Sequence, residues 1–316
     1  MSVGVIKDAA SLSASARDLD FDLVSAALIQ DVDGYLPKNR HLANISRQFT
    51  HVIVVARRQN SGVSSANHLA TKQFFGGQLH YFVTEGAGEL AERIEKAGGL
   101  ALPLHTTAID FRVTDQNDLT PAGQGALPVR MAAVASGMGT LGLNNMLLTP
   151  QFGPRIVLGG VLTDLDLPPG APLKEDLCLG FEKCGCCAAA CPAKAIPLSA
   201  PIGAELDRVR DLDGAGCAQY AQPNGVDKFM QTVEAAFETD SKEELVRNFL
   251  GEPTAARWRE TAMMKEAAYM GCMACEAVCP VGEDFEMVMR HQEPPREPRR
   301  TINGSRMEIQ WSAATP

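Results

Sequence analysis

The chain has 316 residues, 45% of them hydrophobic and 21% charged, with a formal net charge of −9. That length implies one large or two modest domains with a normal core, and the acidic balance argues against a nucleic-acid partner, because phosphate backbones are held by clustered Lys and Arg. Residues 1–8 show no twin Arg and no apolar stretch, and no later run reaches the length of a membrane span, so the expectation is a cytoplasmic protein with no membrane association.

In chain order, residues 16–29 form a weakly amphipathic segment and 31–37 a turn-rich loop. The run at 51–56, His-Val-Ile-Val-Val-Ala, is apolar and β-branched between polar neighbours and predicts a buried strand. Residues 69–96 turn helical, carry the aromatic patch Phe74, Phe75, Tyr81 and Phe82, and stop at Gly98-Gly99. Residues 100–104 return as a strand, giving a strand–helix–strand layout of α/β or α+β type.

The stretch 106–121 has little hydrophobic rhythm and reads as a loop over a cleft. Residues 129–136 are helix-prone and run into Gly137, Gly139 and Gly142. That spacing fits G-x-G-x-x-G but follows a helix instead of a strand, so the dinucleotide reading lacks its required context, and a helix stop followed by a turn is the competing reading. Two strand-like pieces within 147–164 flank a turn with Pro150 and Pro154, and the Pro-rich stretch 165–172 reads as a linker. The expected division is an α/β domain at 1–170, a cysteine domain at 171–290 with helices at 226–237, 243–250 and 258–270, and a Pro- and Arg-rich tail at 291–316.

All nine cysteines fall between Cys178 and Cys279. Two runs, Cys184-x-x-Cys187-x-x-x-Cys191-Pro and Cys272-x-x-Cys275-x-x-x-Cys279-Pro, have the spacing with which two-cluster ferredoxins hold two [4Fe–4S] centres, the fourth Cys of each run ligating the other run's cluster. Phe181 and Tyr269 stand where further ligands would be expected, and Cys178 and Cys217 are the natural substitutes. Cross-ligation then assigns Cys178, Cys184, Cys187 and Cys279 to one cluster and Cys191, Cys217, Cys272 and Cys275 to the other. Cys186 is left over and reads as a buried free thiol. Zinc would want four thiolates per site from two Cys-x-x-Cys pairs and has no need of the Cys-Pro endings. A disulfide framework does not suit a cytosolic chain of this length.

Residues 134–142 (Val-Ala-Ser-Gly-Met-Gly-Thr-Leu-Gly), 147–155 (Leu-Leu-Thr-Pro-Gln-Phe-Gly-Pro-Arg) and 161–164 precede the cysteine runs in an order that resembles the epoxyqueuosine reductase and reductive dehalogenase superfamily. Cys217-Ala-Gln-Tyr220 resembles that family's isolated cluster cysteine, and 271–280 its closing motif. The resemblance implies an oxidoreductase with a nitroreductase-like α/β domain that binds cobalamin, or alternatively flavin, and a ferredoxin-like module with two [4Fe–4S] clusters. Electrons from a ferredoxin, flavodoxin or reductase would pass through the clusters to the corrinoid and on to a small-molecule substrate. Gly137, Met138, Gly139, Gly142, Thr149, Phe152, Gly153 and Arg155 would lie against the corrinoid.

The departures bear on the chemistry. Gly123, with Gln124 beside it, stands where epoxyqueuosine reductases carry an acidic proton donor; Asp110, Asp115 and Asp118 are the nearby alternatives. Together with the acidic net charge and the short C-terminal extension, this points away from a tRNA substrate. Dehalogenases of the family use a Tyr supported by a basic residue, and Tyr81 and Tyr35 are candidates by type; Arg130, before the glycine turn, reads either as a partner for an anionic substrate or cofactor side chain or as a helix-surface Arg. The rival functional reading is an electron-transfer protein on a degenerate cofactor domain.

Overall fold

The structure, a computed structural model, describes Ile6, Lys38, Thr239 and residues 8–36, 41–66, 68–104, 127–196, 212–221, 241–251, 254–255 and 272–290. The first helix, α1 (Ala9–Asp18), starts from a capping box in which the Asp8 carboxylate accepts from Ser11 N and the Ser11 hydroxyl accepts from Asp8 N. It stops where Asp20 takes a positive φ of 61°, and the chain continues as β1 (Leu23–Leu28). The segment 16–29 is therefore a helix end and a strand, not one amphipathic unit. The expected loop at 31–37 is likewise replaced in part by a short helix, α2 (Ile29–Asp33), whose Asp33 carboxylate accepts from Leu42 N and Ala43 N.

Strand β2 (His51–Arg58) lies between β1 and a later strand, and α3 (Ser61–Ser65) leads from it into the long helix α4 (Leu69–Lys96). After β3 (Ala101–Leu104) come α5 (Leu127–Ala135), the hairpin β4 (Thr140–Leu141) and β5 (Leu147–Leu148), and β6 (Ile156–Thr163). The main sheet has the order β1-β2-β6-β3 with every neighbour antiparallel. The architecture is thus mixed α and β with an antiparallel sheet.

The apolar run of β2 is explained by burial on both faces. Val52, Val54 and Ala56 pack with α2 and α5, whereas Ile53 and Val55 pack with α1 and α4. Each such Val or Ile removed from water contributes about 1.5–3 kcal/mol. Helix α4 comes so close to β6 that a Cβ on Gly159 would stand 2.7 Å from Val83 Cγ1.

The cysteine region adds α6 (Gly180–Lys183), α7 (Cys186–Ala190), α8 (Gly214–Ala221), α9 (Lys242–Leu250), α10 (Ala274–Ala277) and α11 (Phe285–Arg290). Expectations for 106–121, 226–237, 258–270 and the tail, and for Asp110, Asp115, Asp118, Gly123 and Gln124, lie outside the described residues. Among the described residues no helix is long and apolar enough to cross a membrane.

Candidate metal centre

The two Cys-x-x-Cys loops have the same local form. Gly185 and Met273, each the residue after the first Cys, are left-handed (φ 63° and 57°) and each caps a short helix, α7 or α10. That turn reverses the chain between the two sulfurs, and the helix carries the second one forward. Upstream, Leu177 N donates to Thr140 Oγ1 (3.0 Å), which fixes the approach to Cys178. Cys217 sits on α8, whose first turn is braced by Asp213 Oδ1 accepting from Gly216 N.

Cys178, Cys184, Cys187 and Cys279 line one cleft, together with Gly142, Leu143 and Asn144 from the tip of the β4–β5 hairpin. Burial pushes the Cys187 thiol up to about 12, with Cys279, Cys178 and Cys184 adding to it. Cys279 is pushed up to about 11 by burial against the opposing pull of a backbone N–H and of Arg155, and Cys178 and Cys184 raise it further. The other four form a second neighbourhood. Burial, then Cys272 and Cys191, push Cys217 up to about 11, and Cys275 lies well above the ordinary thiol range through burial, Cys272, Glu276 and Cys217. Leu143, Ala188 and Ile196 make an apolar seam against Cys178 and Cys187 on one side and Cys191 and Cys275 on the other.

Eight sulfurs in two groups, five of them (Cys187, Cys217, Cys272, Cys275 and Cys279) raised by burial, are a donor set in search of positive charge, since a desolvated thiolate is stable only beside a cation or metal. Among the described residues no three His, Cys, Asp or Glu side chains converge as ligands of a single ion. Zinc needs that convergence, with Zn–S near 2.3 Å. In a [4Fe–4S] cluster each thiolate holds its own iron, so the four ring a cavity. The residues present fit that group.

Beside the second neighbourhood, Glu276 is buried and pushed up to about 7 by desolvation, against the opposing effects of Lys72, Arg155 and a hydrogen bond from Ser64 Oγ (3.3 Å). Lys72 on α4 is held below its ordinary range by burial, with Glu276 and Cys272 opposing.

Arg155 was expected against a corrinoid. It is fully buried at the start of β6, and its guanidinium reaches the 276–284 segment instead. Nε and Nη2 donate to Asp284 Oδ2 (2.9 Å) and Oδ1 (2.6 Å), Nη1 to the carbonyls of Glu276 (3.3 Å) and Cys279 (2.9 Å), and Nη2 to that of Val281 (2.7 Å). A guanidinium has five N–H donors. All five are used on the second cysteine run and the residues just after it, Val281 and Asp284.

The glycines are occupied in the same way. Gly137 (φ 74°) is the second residue past α5, in a Schellman motif, its N–H bonding Val134 O and that of Met138 bonding Ala133 O. Cβ atoms at Gly137, Gly139 and Gly153 would stand 2.2, 2.0 and 1.9 Å from the carbonyl oxygens of Ala171, Leu148 and Val281, and one at Gly142 would meet Asn144 Oδ1 at 2.6 Å. Thr149 is buried, its Oγ1 accepting from Phe152 N and donating to Gly153 O to tighten the 149–153 turn. Between Gly137 and Gly153, then, the close approach that these glycines permit is used in part by this chain's own backbone.

Tyr81 lies half exposed on α4, edge-on to Phe82. Arg130 lies on α5, across the sheet from α4, and its Nη1 donates to the Asn145 carbonyl. The structure does not bring Tyr81 and Arg130 together. Tyr35 is partly buried and packs with the α5 side of the sheet. Cys186, expected to be buried, is exposed, because it opens α7. Sequence reasoning missed Asn144 and the clamp role of Arg155; a charged residue leading the apolar run Ile156–Thr163 was the available signal for the second.

No family model matches the chain. A tetrachloroethene reductive dehalogenase of Desulfitobacterium hafniense is 45% identical over 64 residues, 20% of this chain and 12% of the relative. An epoxyqueuosine reductase of Lactococcus garvieae is 30% identical over 122 residues, 39% of this chain and 29% of the relative. This chain is a relative of the epoxyqueuosine reductases and reductive dehalogenases. It covers well under half the length of these curated relatives. A solved reductive dehalogenase, described with a mechanism for B12-dependent dehalogenation, shares the fold at a TM-score of 0.50 and 18% identity, over 82% of this chain and 37% of its own.

These relatives correct the expectation of a small-molecule substrate and no nucleic acid. Epoxyqueuosine reductases, which act on a tRNA, are among them. The reason is physical: a net charge of −9 is a sum over the whole chain and says nothing about the local field of one binding face.

Proposed function

We propose that the chain is an iron–sulfur reductase that relays electrons through two [4Fe–4S] clusters, one held by Cys178, Cys184, Cys187 and Cys279 and the other by Cys191, Cys217, Cys272 and Cys275. The α/β part, ending near residue 170, would be nitroreductase-like, and residues 171–290 ferredoxin-like. The observation that carries this reading is the cross-pairing of thiols: Cys279 of the second run neighbours Cys178 and Cys184, and Cys272 neighbours Cys191 of the first. The clusters, when bound, supply one-electron transfer. The residues around them exclude water, as the Leu143 seam does, and keep the two loops in register, as Arg155 does. The solved dehalogenase that shares the fold works with B12, and on that likeness cobalamin is the acceptor we propose, with flavin as its competitor.

Anaerobically purified protein should carry about eight irons per chain. Cys217→Ser should lower this to about four, and Cys186→Ser should leave it unchanged. Zinc in place of iron, or equal loss from both variants, would overturn the assignment.

A second reading is favoured by the carbonyls of Ala171, Leu148 and Val281 packed against Gly137, Gly139 and Gly153: the chain passes electrons to a partner and binds no acceptor of its own. Titration of the iron-loaded protein with cobalamin and then with a flavin, followed by absorbance, separates the two. Stoichiometric uptake of either supports the reductase, and uptake of neither supports the carrier.

A further inference from the structure

The cleft ringed by Cys178, Cys184, Cys187 and Cys279 has otherwise apolar or glycine walls, with Leu143, Leu148, Leu179 and Val281 among them. Asn144 is the single polar side chain in that lining apart from the cysteines themselves. It is 7% exposed, and its Nδ2 is buried with no hydrogen-bond partner. Its orientation is held from several sides. Oδ1 accepts from Met146 N (3.3 Å), Asn145 N closes the turn onto Gly142 O (2.9 Å), and Arg130 Nη1 holds the Asn145 carbonyl. Gly142 leaves the space in which Oδ1 sits. The amide is thus turned so that its acceptor is used and its donor is not. A buried donor left unmet is costly, and such groups in native folds mark a function or a missing partner.

We propose that Asn144 donates a hydrogen bond from Nδ2 to a sulfur of the [4Fe–4S] cluster held by Cys178, Cys184, Cys187 and Cys279, and so raises that cluster's reduction potential. This rests on the cluster reading given above. The reduced cluster carries one more negative charge than the oxidised one, so an N–H aimed at its sulfur stabilises the reduced form more, and hydrogen bonds to sulfur are one of the terms that set cluster potentials. The second neighbourhood has a backbone counterpart, Ala195 N donating to Cys191 Sγ (3.3 Å). In the first, the donor comes from a side chain and is open to substitution.

The test is an EPR-monitored redox titration of anaerobically purified wild-type, Asn144→Leu and Asn144→Asp proteins, with iron counted in each. Leucine removes the donor; aspartate keeps the shape and the bond to Met146 N but replaces N–H with a charged acceptor. With iron retained, one midpoint should move negative, by about a tenfold fall in the reduced-to-oxidised ratio for leucine, or about 59 mV for one electron, and further for aspartate, while the other stays put. Full iron with both midpoints unmoved would overturn the role of Asn144 alone. Loss of iron in both variants would make Asn144 structural and would also sink the proposal. A wild-type protein without iron would overturn the cluster reading itself.

Discussion

The two cysteine runs share one spacing and one left-handed turn, yet they are held in place by different means. The first relies on its own backbone, with Gly180 and Gly185 at positive φ and the Gly185 turn packed on Phe181. The second has Met273 where the first has glycine, a left-handed conformation that costs a non-glycine residue about 1–2 kcal/mol. Its side chain is used in return. The Met273 methyl fills the space above Gly76 on α4, and its sulfur accepts from Gln59 Nε2 (3.7 Å). Five hydrogen bonds from Arg155 then tie the same run, with Val281 and Asp284 just after it, to β6. The first run makes its turn from its own glycines and packs on Leu143 of the β4–β5 hairpin, whereas the second is tied to α4 and the start of β6 by Met273 and Arg155. Because each thiol neighbourhood draws on both runs, that anchoring positions both.

The comparison is broken most severely at Arg155. Arg155→Met leaves Asp284, only 10% exposed, without its cation and strips donors from three carbonyls, so urea unfolding should show a loss of about 3–5 kcal/mol. Arg155→Lys should recover only a fraction, since an ammonium cannot reproduce the planar fork. Gly153→Ala should cost about 1–3 kcal/mol, because it adds a Cβ at φ 52° against Val281 O and pushes the second run off the sheet. Gly185→Ala, in the first run, meets neighbours no closer than 3.1 Å and should cost about 1–2 kcal/mol by the same measurement.

A further effect is one the two runs share. In the metal-free chain Cys187 titrates near 12 and Cys217 and Cys279 near 11, against an ordinary 9.0. The unfolded chain gives up these protons first as pH rises through 9, so it binds fewer protons than the folded one and stability falls. The urea midpoint of the metal-free protein should therefore fall from about pH 9 and go on falling to about pH 11–12, and the drop should vanish when iron is bound. A flat profile would mean that the thiols are not desolvated as a group.

Much of the fold is legible locally. The β-branched run of β2, the whole span of α4 and its stop before Gly98-Gly99 follow from periodicity and breakers. The segment 16–29 is not, because a helix end and a strand laid end to end imitate one weak period. At the site, the spacing of the two cysteine runs is local and can be read without the fold. Arg155 is different: its partners lie 121 to 129 residues away, and no local pattern reaches that far.

By itself the sequence determined that two Cys-x-x-Cys-x-x-x-Cys-Pro runs exist and that Gly137, Gly139, Gly142 and Gly153 stand without side chains. Only the tertiary structure decided what fills the space those glycines leave. A missing Cβ records that something comes close; whether it is a cofactor or the carbonyl of Ala171, Leu148 or Val281 depends on which distant segment the chain folds against it.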